Sequence, residues 1–360
     1  MTKARTNASA ASAVGRNIVI NGAMTVSQRA TSVTGITGSG YNTVDRWRVG
    51  NSSAGTWTMA KTAVTDLPSF RNSLKMDCTT ADGSLGANDN LVIEQRFEGQ
   101  NVQQFQKGTS SAKSWTLSFY VKGTTTGTYI CQLFDNDNNR FVSKSYTISS
   151  ANTWEYKTIT FPPDTTGAIN DSNGNNFIVS WYLAAGSNLT SGSLQTAWAG
   201  NTAANKAVGQ VNLAASTSND WQMTGVQLEV GPVATEFEQE DFGVTLAKCQ
   251  RYYYKTGPII SNDAFCLGFN GSATVAVGVT HFPVTMRADP TALEQNGTAA
   301  HYKIAHASTT TTCSAVPAFD RATIDSGSVI FTVGSGLTTG QATELRSLNN
   351  TAFLAWSAEL

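Results

Sequence analysis

Residues 220–238 constrain this chain more than any other stretch. Met223, Val226, Leu228 and Val230 favour one side while Thr224, Gln227 and Glu229 interrupt them, the pattern of a half-buried strand whose phase slips at Gly225. Gly231 and Pro232 then end it, because proline removes a ladder donor and glycine tolerates the turn. From Asp241 the period changes: Phe242, Leu246, Cys249 and Tyr253 fall on one helical face, and Glu236, Glu238, Glu240 and Asp241 crowd the start. The spacing predicts a short helix over about 240–253 that joins domains or subunits by that face. The chain thus divides into a β domain at 17–235, a connecting helical segment at 236–255 and a second, smaller β domain at 256–360.

Charged residues make up 14% of the chain and the formal net charge is −1, which leaves no basic footprint for nucleic acid or an anionic membrane surface. No apolar run is long enough to span a bilayer, and the first residues lack the apolar core of a secretory signal. Short alternating segments recur at 56–60, 73–78, 91–97, 114–122, 128–134, 141–147, 154–161 and 177–184, punctuated by Gly, Asn and Asp, and residues 17–26 read as a further strand. The expected fold is all-β, a jelly-roll β-sandwich followed by the helix and by strands at 264–269, 273–281, 301–306, 328–333 and 352–358. Trp47, Trp57, Trp115, Trp154, Trp181 and Trp221 sit in strand patterns and are expected in the core. The five cysteines show no Cys-x-x-Cys pair and read as buried thiols.

The run GVQLEVGPVATEFE at 225–238, followed by LAKCQRYY at 246–253, resembles a segment of bacteriophage tail-fibre and related virion surface proteins. So do RNIVINGAMTVSQR at 16–29, YNTVDRW at 41–47, FPVTMRADPT at 282–291 and the terminal WSAEL at 356–360. The strand pattern through Leu91–Phe97, Trp115–Gly123 and Trp154–Phe161 also resembles jelly-roll carbohydrate-binding modules. The resemblance implies a structural protein made in the host cytoplasm and carried on the virion surface, a tail fibre that binds host-surface glycan during adsorption. It implies a homotrimer as well. Residues 1–16, small and basic, would be an arm that attaches to other virion proteins. Two other readings share the motifs: a capsid decoration or head-fibre protein with no receptor, and a polysaccharide depolymerase.

Three sets of residues are candidates for chemistry. Trp198, with Asn201 and Asn205, lies in the long loop between Ala184 and Asp220, where an aromatic plane beside amides suits a sugar ring; the competing role is to pin the loop. Asp135, Asp137 and Asn139 place oxygens at alternate positions, as structural calcium loops do, although such residues are also ordinary turn formers. Apart from that calcium no cofactor is expected. Phe242, Leu246, Cys249 and Tyr253 form the interface set. The acids in patterned stretches, Asp45, Glu94, Glu98 and Asp220, come with no internal repeat of a depolymerising β-helix, so binding is expected and enzymatic activity is not.

Overall fold

A computed structural model of the chain describes residues 15–257, 260–307 and 309–360; the expected N-terminal arm lies, up to residue 14, outside them. The chain forms two compact units, one ending at Thr245 and the other spanning Leu246–Glu359. The fold is all-β.

In the first unit the strands are β1 (Ser32–Ile36), β2 (Gly40–Tyr41), β3 (Arg48–Ser52), β4 (Thr56–Ala63), β5 (Asn72–Thr80), β6 (Asn90–Glu98), β7 (Trp115–Gly123), β8 (Gly127–Asp135), β9 (Arg140–Ile148), β10 (Glu155–Phe161), β11 (Asn175–Ala185), β12 (Ala199–Gly200) and β13 (Asp220–Val230). They build two antiparallel sheets, β1-β4-β5-β13-β7-β10 and β12-β9-β8-β11-β6-β3-β2, with the chain switching repeatedly between them in a jelly-roll sandwich. The alternation in β7 does what the sequence predicts: Trp115, Leu117, Phe119 and Val121 are all fully buried. Across the core, Phe105 stacks on Trp115 at 3.4 Å between ring centroids and Trp115 on Phe177 at 4.5 Å.

The strand Asp220–Val230 is central in the first sheet and does carry its irregularity at Gly225, where its register against β7 shifts between Thr224 and Gln227. Gly225 has φ +60°, and a Cβ there would stand 2.6 Å from the Phe70 ring. The segment after it, residues 231–238, turns back across the outer face of the same sheet. Thr116 and Thr160 hydroxyls donate to the Gly231 and Pro232 carbonyls, at 2.6 and 3.0 Å.

Residues 17–26 depart from expectation. They form no strand, because Asn21 and Met24 take left-handed φ of 59° and 57° and the Asn21 side chain accepts the Thr25 and Val26 N–H groups. The Gln95 side-chain amide pairs with both backbone groups of Ile20, standing in for a ladder neighbour. Trp154 is also corrected. Its ring is half-buried outside the core, its Nε1 donates to Asp66 at 2.9 Å, and Lys122 lies 5.0 Å from its centroid.

The second unit holds β14 (Tyr253–Thr256), β15 (Ala264–Asn270), β16 (Val275–His281), β17 (Glu294–Gln295), β18 (Tyr302–His306), β19 (Thr309–Thr312), β20 (Ala318–Ala322), β21 (Ser326–Thr332), β22 (Ala342–Ser347) and β23 (Leu354–Ser357). These pair as β14-β23-β17 and β19-β18-β22-β15-β16-β21-β20 around a core that includes Trp356, Phe331, Tyr302 and Leu345.

The helix spans Phe242–Gln250, capped by Asp241, whose carboxylate accepts the Gly243 N–H at 2.8 Å. It is shorter than predicted, and the boundary between the units falls inside it. The expected interface face is accordingly revised: Phe242 is exposed, Leu246 is half-buried, Cys249 is buried, and Tyr253 belongs to β14, paired with Ser357. Tyr253 donates its hydroxyl to Glu294 at 2.9 Å instead of extending the helix. None of the five cysteines is in a disulfide, and four of them are buried. Among the described residues no helix is long and apolar enough to cross a membrane.

Candidate functional site

The outer face of the second sheet carries a row that only pairing register reveals. Arg48 stands opposite Glu94, Glu94 opposite Ser180, Ser180 opposite Gln132, and Gln132 opposite Ser143, so five polar side chains cross five strands in one line. At the usual strand spacing of about 4.8 Å the line is roughly 19 Å long. The neighbouring rows place Val92, Tyr182 and Ile130 on one side and Arg96, Ile178 and Phe134 on the other. The Ala184–Asp220 loop folds over one end, where Leu189, Leu194 and Ala207 pack on Val92, Ile130 and Tyr182.

What remains open is a groove of about 250 Å³ lined by Asn90, Glu94, Gln132, Phe134, Ser180 and Lys206, among others. Its polar groups are held in place. Arg48 and Arg96 both donate to Glu94 Oε1, at 2.6 and 2.9 Å, and Gln132 donates to the Ser143 hydroxyl at 3.2 Å. Lys206 lies 5.4 Å from the Phe134 centroid, and burial holds its ammonium pKa below the ordinary value. Burial, with Glu94 nearby, pushes the Tyr182 phenol up, which keeps its hydroxyl a neutral donor. The groove therefore offers fixed donors and acceptors beside one aromatic wall. Such a surface suits a hydroxyl-rich ligand.

The sequence candidates occupy other places. Trp198 is half-buried against the core: its Nε1 donates to the Pro162 carbonyl at 2.8 Å, its ring meets Phe177 at 6.4 Å, and Lys107 lies 5.1 Å from its centroid. Asn201 donates to the Asn139 side chain at 2.9 Å, and Asn205 accepts the Ser193 N–H at 2.9 Å. All three brace the loop, whereas Leu189 and Lys206 are the loop residues that reach the groove.

The site expected to hold calcium holds a side-chain cation instead. Asp135 does bind a cation, and the cation is the ammonium of Lys107, at 2.5 Å. Asp164 at 3.1 Å and the carbonyls of Thr166 and Gly167 at 2.9 and 2.8 Å complete an oxygen cage around it. Asp137 turns away to accept the Asn170 N–H and the Asn176 amide, at 2.8 Å each, and Asn139 has φ +51° in a turn. With a lysine at the centre, these residues do not fit a calcium ion.

The acids considered for glycoside cleavage do not converge either. Glu94 lies in the groove, Asp45 accepts from Gln28, Glu98 accepts from Gln100, and Asp220 pairs with Lys75 at 3.0 Å. No sequence signal marks the groove, since outward polar residues occur on any sandwich; the strand register alone aligns them.

Fold and groove together define an all-β jelly-roll sandwich with a polar cross-strand groove on one outer face. No protein family matches the chain, and no curated protein does. Among solved structures it is similar to the enzymatically active domain of bacteriophage CBA120 tailspike protein 4, at 12% identity over 60% of this chain and 21% of that one, with a TM-score of 0.31. The chain thus spans about a fifth of that tailspike domain. It is also similar to the module TmCBM61 in complex with β-1,4-galactotriose, at 8% identity over 60% of this chain and 99% of that one, TM-score 0.31. A third is the family 11 carbohydrate-binding module from Clostridium thermocellum in complex with a β-1,3-1,4-mixed-linked tetrasaccharide, at 12% identity, 57% and 98% coverage and TM-score 0.28.

Proposed function

We propose that this protein binds glycan through the cross-strand groove, as a tail fibre on a phage surface that attaches to the host. The carrying observation is the aligned row of Arg48, Glu94, Ser180 and Gln132, in which Arg48 and Glu94 hold each other and Ser143 holds the Gln132 amide before any ligand arrives. The phage setting rests on the motifs at 16–29, 41–47, 225–253, 282–291 and 356–360. By the same resemblance the working form is a homotrimer held to other virion proteins by its N-terminal arm, so that three weak sites act as one firm attachment. Binding without cleavage is the favoured chemistry, because glycoside hydrolysis uses two carboxylates flanking one bond and Glu94 is the carboxylate that lines the groove among the described residues.

Ser180 faces the groove from the central strand β11, so Ser180→Trp fills the site without entering the core. The variant should keep the wild-type melting temperature and lose at least part of the wild-type glycan-array profile, with weaker adsorption to host cells. An array profile equal to wild type with a filled groove would remove this assignment. Mass in solution tests the trimer separately.

A further inference from the structure

The motif at 225–238 has a structural use that the groove does not absorb. Gln227 and Glu229 point to the outer face of the first sheet, yet both are buried, because they clamp the chain that folds back over them. The Gln227 side chain donates to the Thr235 hydroxyl at 3.1 Å and accepts the Glu238 N–H at 2.8 Å. Glu229 accepts the Thr235 N–H and hydroxyl at 2.8 and 2.7 Å. Glu238 in turn accepts the Asn17 N–H at 2.9 Å.

This bracing raises a wall over a cleft of about 590 Å³ on the face opposite the groove. Its floor is an arc of four rings: Tyr156 and Tyr120 at 4.9 Å, Tyr120 and Phe70 at 5.4 Å, Phe70 and Phe237 at 5.1 Å. Phe70 reaches that position because Gly225 has no side chain to exclude it. Tyr156 is 47% exposed, which leaves an aromatic surface open beside Ser69, Thr235, Glu236 and Gln239.

We infer that this cleft is a second, independent glycan site, in which a pyranose ring stacks on Tyr156 and Tyr120 while Glu236 and Gln239 take its hydroxyls. An open aromatic plane rimmed by an amide, a carboxylate and hydroxyls matches a sugar, which has an apolar face and a polar edge. Two sites on opposite faces of one sandwich let a single chain bridge two separate polysaccharide strands, which the groove alone does not do.

The test uses the full chain on a glycan array printed with mono- to hexasaccharides of glucose, galactose, xylose and N-acetylglucosamine. Tyr156→Ala should weaken about tenfold or more a subset of array signals that Ser180→Trp leaves intact, while Tyr156→Phe, which keeps the ring, retains them. An array profile of Tyr156→Ala equal to wild type would overturn the inference and leave the groove standing. Loss of every signal in Tyr156→Ala, with Ser180→Trp unaffected, would instead support this cleft and remove the groove. A change in mass in solution with an unchanged array would assign the face to a second copy of the chain and overturn the inference. Because Tyr156 is exposed on the edge strand β10, its truncation should leave the melting temperature unchanged.

Discussion

Replacing Lys107 with methionine removes the cation from its cage and keeps the stem volume. The lysine side chain is 1% exposed, and the two carboxylates it neutralises, Asp135 and Asp164, are 0% and 5% exposed. Deleting one partner of a buried pair costs about 3–5 kcal/mol, because the remaining charge stays uncompensated. Two contacts survive the change: Arg140 bonds Asp164 through two nitrogens at 3.0 and 3.1 Å, and Asn138 donates to Asp135 at 2.9 Å. They place the loss near the lower end, about 3 kcal/mol. For a sandwich of this size about 2–4 °C accompanies each kcal/mol, so melting should fall by roughly 6–12 °C. Scanning calorimetry reads this directly. A second substitution, Asp135→Asn, should recover more than half of the loss, since removing both charges costs far less than removing one. With the ammonium gone, the carboxylates and the Thr166 and Gly167 carbonyls form an oxygen set, so millimolar calcium should raise the melting point of Lys107→Met and leave wild type unmoved. A shift below about 2 °C for Lys107→Met would refute the reasoning, because it would mean that the cage tolerates a buried Asp135 carboxylate with no cation beside it.

Three further outcomes are expected. Trp198→Ala should lower stability by about 1–3 kcal/mol through loss of its packing and of the Pro162 hydrogen bond, with glycan-array binding unchanged; lost binding at intact stability would return Trp198 to the ligand set. Gly225→Ala should cost about 1–3 kcal/mol in denaturant melts, since φ is +60° and the new Cβ would stand 2.6 Å from Phe70, and a neutral result would mean that the ring moves aside freely. The Asp164 carboxyl is opposed by burial, but Arg140, the Thr166 N–H and Lys107 outweigh that and hold its pKa below the ordinary 3.8. Its folded pKa is depressed, so its contribution is fully present above the unfolded value and is lost as the pH falls through the native one. Melting followed from about pH 5 down to pH 2 should therefore fall less steeply in Asp164→Asn than in wild type, and parallel curves would remove Asp164 from the account.

The strands of the sandwich were legible because their inward residues are large and apolar: Trp115, Leu117 and Phe119 declare a face without help from neighbours. In the second unit β22 escaped notice although it lies in the middle of its sheet, since its inward residues are Thr343, Leu345 and Ser347, of which one is apolar. Residues 17–26 misled for the opposite reason. Ile18 and Ile20 alternate like a strand, but the amides of Asn21 and Gln95 take the backbone groups that a ladder would use. At the cation cage the acid was readable and its partner was not, because Lys107 comes from 28 residues upstream and looks like any surface lysine. Both clefts were illegible as sites. Gln132, Ser180 and Glu94 become a row only through strand register, and Tyr120 and Tyr156 become neighbours only because β7 and β10 pair.

The burial of the tryptophans makes the protein its own optical instrument. Of the eight indoles, Trp47, Trp57, Trp115, Trp181, Trp221 and Trp356 are fully buried, and Trp154 and Trp198 alone are half-buried. A water-soluble quencher added to the native protein therefore dims mainly those two. Trp154 stands two residues from Tyr156, just before the strand that carries that exposed ring, and Trp198 pins the long loop, so the quenchable share of the emission reports on these two places while the remainder reports on the two intact cores.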